Sequence, residues 1–283
     1  MKRTLLFVFL CSFCSNVFGA NFRIAYDASS MSQFTKKDML IATDIWMKEL
    51  VKGSEHTLEF AYYDDMAKMS ADFNADKLDF VTGFGLSFVK YFDTRQFDNG
   101  FGAGFLNGEP ETFVVVVNAA SSIKSWNDLK DKNIGIDEND AIVKLYIENK
   151  MYETFHTKSA KVSEFKNRQR ALLNLFFDKI DATIVTNKTF SLLKELNPQL
   201  GQKLKIIEDT ELIATSFGFF RKNLDAKMKA DLMDISKKVQ TDERGKQLLI
   251  LYKTETITDT KVEDLKPIQK LYEKSLQIAK EAR

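Results

Sequence analysis

The sequence predicts an α/β protein folded as two lobes, and three observations carry that expectation. Short β-branched or aromatic runs alternate with stretches of helical spacing along the chain. A segment beginning Asp-Lys occurs at Asp76 and again at Asp178, each time ahead of an apolar strand. Two further apolar segments, Phe113–Val117 and Ile213–Phe220, stand where a chain would leave one α/β unit and return to it.

At the amino end, Lys2 and Arg3 precede an apolar run from Leu5 to Phe13, followed by Ser15, Asn16, Val17, Phe18, Gly19 and Ala20. That is the charged, apolar and small-residue order of a secretory signal, with the cut expected after Gly19. The run falls well short of the roughly 20 apolar residues that span a bilayer, so residues 1–19 are expected to be removed and the mature protein to be soluble and periplasmic. Cys11 and Cys14, the chain's two cysteines, go with them, leaving no thiol, disulfide or lipid anchor.

Strands are expected at Phe22–Tyr26, Leu58–Tyr62, Leu78–Thr82, Phe113–Val117, Ile134–Ile136, Ile180–Val185 and Leu204–Ile207. The first helix should start after Thr35, with Asp38 in capping-box position, bury Met39, Ala42, Trp46 and Leu50, and stop at Gly53. A second one-sided stripe joins Leu224, Met228, Leu232, Ile235 and Val239, and a last helix runs from Leu265 to Ala279 with Pro267 in its first turn. Asp76-Lys77-Leu78-Asp79-Phe80-Val81-Thr82 and Asp178-Lys179-Ile180-Asp181-Ala182-Thr183-Ile184 each follow a helical stretch, so two similar units are expected. With the two crossing segments as a hinge, residues 20–116 and 216–283 make lobe one, residues 117–215 make lobe two, and a cleft lies between them.

The 283 residues are 44% hydrophobic and 29% charged, the balance of a globular protein with one or two cores. Forty-one basic residues stand against 40 acidic ones, and loss of Lys2 and Arg3 leaves 39 against 40. No overall field draws such a chain to nucleic acid or to an anionic membrane. Two Cys and two His cannot assemble the usual zinc site or supply a credible Cys–His nucleophile, so no metal and no cofactor is expected. The nearest approach to a nucleophile elbow, Gly83-Phe84-Gly85-Leu86-Ser87, puts its serine in the wrong place, and the chain is not expected to be an enzyme. Gly100-Phe101-Gly102-Ala103-Gly104 fits no phosphate loop and reads as a flexible approach to the hinge. His56 and His156 are expected to face solvent, and Trp126 to pack beneath a helix start.

The order of several segments resembles the periplasmic solute-binding proteins of phosphate, phosphite and phosphonate ABC transporters, over nearly the whole mature chain. The residues that carry it are Phe22-Arg23-Ile24-Ala25-Tyr26, Leu78-Asp79-Phe80-Val81-Thr82, Phe113-Val114-Val115-Val116-Val117-Asn118, and Ile123-Lys124-Ser125-Trp126-Asn127-Asp128-Leu129-Lys130 with the strand after it. Asp181-Ala182-Thr183-Ile184-Val185, Phe219-Phe220-Arg221-Lys222-Asn223-Leu224 and Glu243-Arg244-Gly245-Lys246-Gln247-Leu248-Leu249 continue the same order. The resemblance implies the type II periplasmic-binding-protein fold: α/β, two-lobed, with a two-strand hinge and C-terminal helices. It implies an exported monomer that closes on a small polar solute and delivers it to the permease of an ABC transporter. The alternative partner is a membrane kinase or cyclase to which the protein would report occupancy as a sensor.

Ligands of open α/β sheets gather at the carboxyl ends of strands. The candidate site residues are therefore Tyr26, Ser29 and Ser30 after the first strand, Thr82, Gly83 and Phe84 after the third, and Thr186 and Asn187 after the matching strand of lobe two. Their hydroxyls, amides and backbone N–H groups orient a polar solute without reacting with it. After Ile136, where the resemblance implies a Ser/Thr- and Gly-containing turn around an oxyanion, the chain has Asp137-Glu138-Asn139-Asp140. Carboxylates there either cap the next helix and face water or at least one of them meets an amine on the ligand; Asp137 and Asn139 join the candidate site residues, and since an inward-facing carboxylate would repel it, a simple dianionic phosphonate is not the expected ligand.

Overall fold

The computed structural model describes residues 19–31, 36–104, 110–157, 160–214, 216–241, 243–251 and 254–281. The expected signal segment up to residue 18, and the expected cap Thr35, lie outside the described residues. The chain opens with β1 (Asn21–Asp27), a 3-10 turn at Ala28–Met31 that carries Ser29 and Ser30, α1 (Lys36–Leu50), β2 (Thr57–Tyr63), α2 (Met66–Asn74), β3 (Phe80–Phe84), α3 (Gly85–Tyr91), β4 (Phe97–Asp98) and β5 (Gly100–Gly104). It continues through β6 (Thr112–Asn118), β7 (Asn133–Asp137), α4 (Ala141–Phe155), β8 (Lys161–Phe165), α5 (Arg168–Phe176), β9 (Ala182–Thr186), α6 (Asn187–Leu196), α7 (Pro198–Lys203) and β10 (Leu204–Ile213). It closes with β11 (Ser216–Arg221), α8 (Ala226–Lys238), α9 (Glu243–Leu251), β12 (Thr256–Thr260) and α10 (Lys266–Glu281).

These strands form two five-stranded mixed sheets, β2-β1-β3-β11-β4 and β10-β6-β9-β7-β8, and a small β12-β5 pair. In the first sheet β1 runs parallel to β2 and β3, while the returning β11 is antiparallel to β3. Strand parity sorts the side chains. Phe22, Ile24, Phe80 and Phe220 meet Trp46, Met47 and Leu50 of α1, Leu232 and Ile235 of α8 and Leu249 of α9. Ala25, Val81, Phe217 and Phe219 point the other way, into a core that also holds Phe113, Val115 and Val117 of the second sheet, Leu265 just before α10 and Ile268 in its first turn. Val114, Val116 and Val185 occupy the remaining face with Leu172, Leu175, Phe190 and Leu200. β6 is buried on both faces, which is why it reads as an unbroken valine run rather than an alternating one.

The two connections between the sheets run side by side: the Ala214 N–H donates to the Glu111 carbonyl at 2.8 Å, and Ile213 is paired with Thr112 across β10 and β6. The return segment is not one strand. β10 ends at Ile213 after two register shifts, with Glu211 at φ 59°, and β11 begins afresh at Ser216.

Further expectations are corrected. Gly100–Gly104 is a strand, not a flexible approach. Its glycines let β5 lie against β11, because a Cβ at Gly100 would sit 2.5 Å from the Gly218 carbonyl oxygen and one at Gly102 2.7 Å from that of Ser216. The third strand starts at Phe80 rather than Leu78, since the Asp79 N–H is bonded to the Arg23 carbonyl at 2.8 Å instead of continuing a ladder. His56 is half-buried, its Nδ1 accepting the Ala20 N–H at 3.0 Å and its ring 5.4 Å from that of Phe22. His156 is exposed, as expected; Trp126 is buried, and the ring it packs edge-on is Tyr146 in the body of α4 rather than a residue at its start.

Candidate functional site

Between the carboxyl ends of β1 and β3 on one side and of β7 on the other lies a cleft of about 260 Å³. Its wall on the first sheet is built around Asp27. This carboxylate is buried: Oδ1 accepts the Ser29 N–H at 2.9 Å and the Ser29 hydroxyl at 2.6 Å, and Oδ2 accepts the Ser87 hydroxyl at 2.6 Å. Gly83 makes room for it, since a Cβ there would stand 2.6 Å from the Asp27 Cβ. Ser29, Phe84, Ser87, Lys90 and Tyr91 line the cleft, and the Lys90 ammonium lies 5.1 Å from the Tyr91 ring centre.

The opposite wall is the turn after β7. Asp137 folds back on it, its Oδ1 accepting the Asn139 N–H at 2.9 Å and the Asn139 side-chain amide at 3.2 Å. Asp140 precedes α4 but makes no side-chain cap; its two oxygens take Nε and Nη2 of Arg168 at 2.9 and 2.7 Å. Arg168 is the first residue of α5, whose N-cap Asn167 accepts the Arg170 N–H at 2.9 Å and so fixes where the guanidinium enters. Its Nη1 stands 3.8 Å from Glu111, and the guanidinium lies 5.0 Å over the Phe113 ring. Burial works against the Arg168 charge, but the Asp140 hydrogen bonds and the charges of Asp140, Glu111 and Asp137 outweigh it and raise its pKa further. Phe113, Ile213 and Ala214 are the apolar floor where the sheets join.

Of the residues singled out in the sequence, Ser29, Phe84 and Asn139 line this cleft, and Gly83 supports its wall. Asp137 is in the turn but not in the lining. Tyr26 and Thr82 line a different cavity, on the helix-covered face of the first sheet. Thr186 is fully buried, its Oγ1 accepting the Thr189 N–H at 3.1 Å as the cap of α6. Asn187 ties down the crossing connection, donating to the Pro110 carbonyl at 3.2 Å and accepting the Thr112 N–H at 3.3 Å. Asp27, Ser87, Lys90 and Arg168 were missed. Only Ser87 had left a mark, in the failed elbow motif. The charge expected of the acidic turn is also corrected: its one lining carboxylate, Asp140, is neutralised by Arg168.

The family model described as "ABC transporter, phosphonate, periplasmic substrate-binding protein" matches residues 29–265. No curated protein matches the sequence. Among solved structures, a binding-protein component of an ABC phosphonate transporter from Pseudomonas aeruginosa is similar with TM-score 0.55 and 17% identity, over 92% of this chain and 88% of that one. PhnD1 of Prochlorococcus marinus in complex with methylphosphonate is similar with TM-score 0.58 and 16% identity, over 90% and 97%. A Xanthomonas citri protein bound to ATP is similar with TM-score 0.60 and 12% identity, over 92% and 98%. At these identities the likeness is one of fold.

Proposed function

This chain belongs to the family of phosphonate ABC-transporter periplasmic substrate-binding proteins, and from that premise we propose that its cleft captures a small polar solute of single negative charge. As a family member it is a two-lobed binding protein rather than an enzyme, and it delivers a small ligand to an ABC transporter. The proposal includes export by a cleaved signal at residues 1–19, supported by the charged-then-apolar order of that segment. It also includes a division into two lobes; the sequence-based bounds, 20–116 with 216–283 and 117–215, are moved at the first boundary to before Thr112, giving 20–111 with 216–283 and 112–215, because all of β6 pairs within the second sheet.

The charge of the lining carries the reading. Arg168 is paired with Asp140 and, at 3.8 Å, with Glu111, and the Asp27 carboxylate stands behind Ser29 and Ser87, so Lys90, which has no ion pair among the described residues, is the lining cation left for a solute. One negative charge on the solute is what Lys90 can pair with. A second would meet no free cation among the described lining residues and would stand near the Asp140, Glu111 and Asp27 carboxylates, which outnumber the two cations. The hydroxyl protons of Ser29 and Ser87 are held by Asp27, so these serines offer lone pairs to the cleft. They suit an N–H or O–H donor on the solute, not another oxyanion oxygen.

Calorimetry at pH 8 with a panel of carboxylates, sulfonates and phosphonate monoesters, set against phosphate and methylphosphonate, tests this. A monoanion is expected to bind best, and Lys90→Met to weaken it tenfold or more, roughly 1.4 kcal/mol. Sub-micromolar binding of phosphate or methylphosphonate would overturn the charge reading while leaving the family assignment in place.

A further inference from the structure

The first sheet has a second cavity on the face turned away from the cleft. It measures about 140 Å³ and lies between the sheet and helices α1, α8 and α9. Ile24 and Phe80 form its sheet side, and Trp46, Leu50, Leu232 and Leu249 its helix side. Space of this size behind a mainly apolar lining forfeits the dispersion contacts that fill ordinary protein interiors, and a dry cavity of comparable volume accepts a molecule as large as benzene.

The lining is mainly but not wholly apolar, and one of its polar groups is unsatisfied. Ser236, on α8, is 1% exposed, and its Oγ has no hydrogen-bond partner. Buried hydroxyls are otherwise satisfied almost without exception, and an alanine would serve packing better at this position. Thr254, which also lines the cavity, is by contrast fully engaged: its Oγ1 lies 3.0 Å from the Gly104 and Thr256 carbonyls and 3.1 Å from the Gly104 N–H. Tyr26, Thr82 and Ser216 also line the chamber, and of the lining hydroxyls Ser236 is the one buried without a partner among the described residues.

We propose that this chamber is a second ligand site, which takes a small, mainly apolar molecule carrying one hydroxyl, such as a simple phenol, with the ring among Trp46, Phe80 and Leu232 and its hydroxyl on Ser236 Oγ. The site is independent of the solute cleft. It lies across the sheet from Asp27 and Gly83, although it is lined by their neighbours Tyr26 and Thr82.

Phenol and benzene are the probes, titrated into the mature protein without cleft solute. Phenol should bind saturably, and Ser236→Ala should weaken phenol at least fivefold while changing benzene by less than twofold. Ser236→Leu, which fills the chamber, should abolish both. The chain's two tryptophans provide a readout on the unmodified protein: in ¹H–¹⁵N spectra the indole N–H of Trp46 should shift with phenol, whereas that of Trp126, in the other sheet's core, should not. No saturable binding, equal loss of phenol and benzene on Ser236→Ala, or a shift at Trp126 without one at Trp46 would overturn the proposal.

Discussion

The units α2–β3–α3 and α5–β9–α6 solve one backbone problem identically and then put the solution to different use. Each first helix ends in an aspartate in the left-handed region, Asp76 at φ 58° and Asp178 at φ 57°. Each is followed by an N–H that reaches back into the helix, Lys77 to the Asp72 carbonyl at 3.0 Å and Lys179 to the Asn174 carbonyl at 2.9 Å. Each next aspartate then locks the start of the neighbouring parallel strand. The Arg23 N–H of β1 donates to Asp79 Oδ2 at 3.0 Å, and the Asn133 N–H of β7 to Asp181 Oδ2 at 2.8 Å. The side chains beyond this shared frame differ. Asp79 is buried and also receives Arg23 Nε and Nη2 at 2.8 and 2.6 Å and Arg221 Nη2 at 3.3 Å. The Asp181 side chain is 42% exposed, with Lys132 at 4.0 Å. At the far ends, β3 runs into Phe84 and the cleft without a side-chain cap, while β9 ends in Thr186, whose hydroxyl closes α6. A repeated backbone frame thus leaves the side chains beyond it to decide which copy is anchored by buried charge and which strand end opens on the cleft.

The contrast is largest in stability. Removing one member of a buried, hydrogen-bonded charge cluster leaves the others uncompensated, and Asp79→Ala should cost about 3 kcal/mol. Asp181→Ala loses one strand-end hydrogen bond near solvent and should cost about 1 kcal/mol. Guanidinium unfolding of both variants measures the gap, and equal midpoints would mean that the arginines around Asp79 add nothing to the shared frame.

Acid sharpens the same comparison at Asp79. Burial pushes its pKa up, but the Arg23 hydrogen bonds and charge, with Arg221, more than reverse this and hold it below the ordinary 3.8. Because the folded value is depressed, the stabilisation is present in full above the ordinary value and is lost as pH falls through the lower folded one. The stability gap between the unmodified protein and Asp79→Asn should therefore be constant from about pH 7 down to about pH 5 and shrink below about pH 4. Unfolding curves at a series of pH values test it; a gap that does not narrow in acid would remove Asp79 as the titrating anchor.

The echo itself was legible because it is local: residue types at fixed offsets from a helix end leave a mark in sequence. So were β1 and β6, whose apolar runs fill two-sided cores. β8 and β12 were not, because Lys161-Val162-Ser163-Glu164-Phe165 and Thr256-Ile257-Thr258-Asp259-Thr260 are short, polar strands with only one pairing partner each. The site was half legible. Strand ends gave Ser29, Phe84 and Asn139, but parity was needed to set aside Tyr26, which shares its side of β1 with Phe22 and Ile24 and faces the helices instead. Arg168 meets Asp140 across 28 residues, and Lys90 is one base among 41 Lys and Arg; a contact fixed only by tertiary packing has no periodic signature.

The smallest effect isolates the backbone that the two units share. Glycine enters the left-handed region freely but loses more freedom on folding, so replacing a left-handed aspartate by glycine relieves steric cost and adds entropic cost of similar size, each about 1 kcal/mol. The carboxylates at stake are exposed: Asp76 pairs with Nη1 of the partly buried Arg221 at 2.9 Å, and Asp178 with Lys203 Nζ at 2.6 Å and Asn118 Nδ2 at 2.8 Å. Surface ion pairs of this kind contribute about 0–1 kcal/mol. Asp76→Gly and Asp178→Gly should therefore both lie within about 1 kcal/mol of the unmodified protein and within about 0.5 kcal/mol of each other. Valine removes the same carboxylates yet resists a positive φ, so Asp76→Val and Asp178→Val should each be less stable than the glycine variant by about 1–2 kcal/mol. Because glycine and valine lose the ion pairs alike, their difference reads the backbone alone, and a valine tolerated as well as glycine at either position would mean that the two helices do not end in the same way.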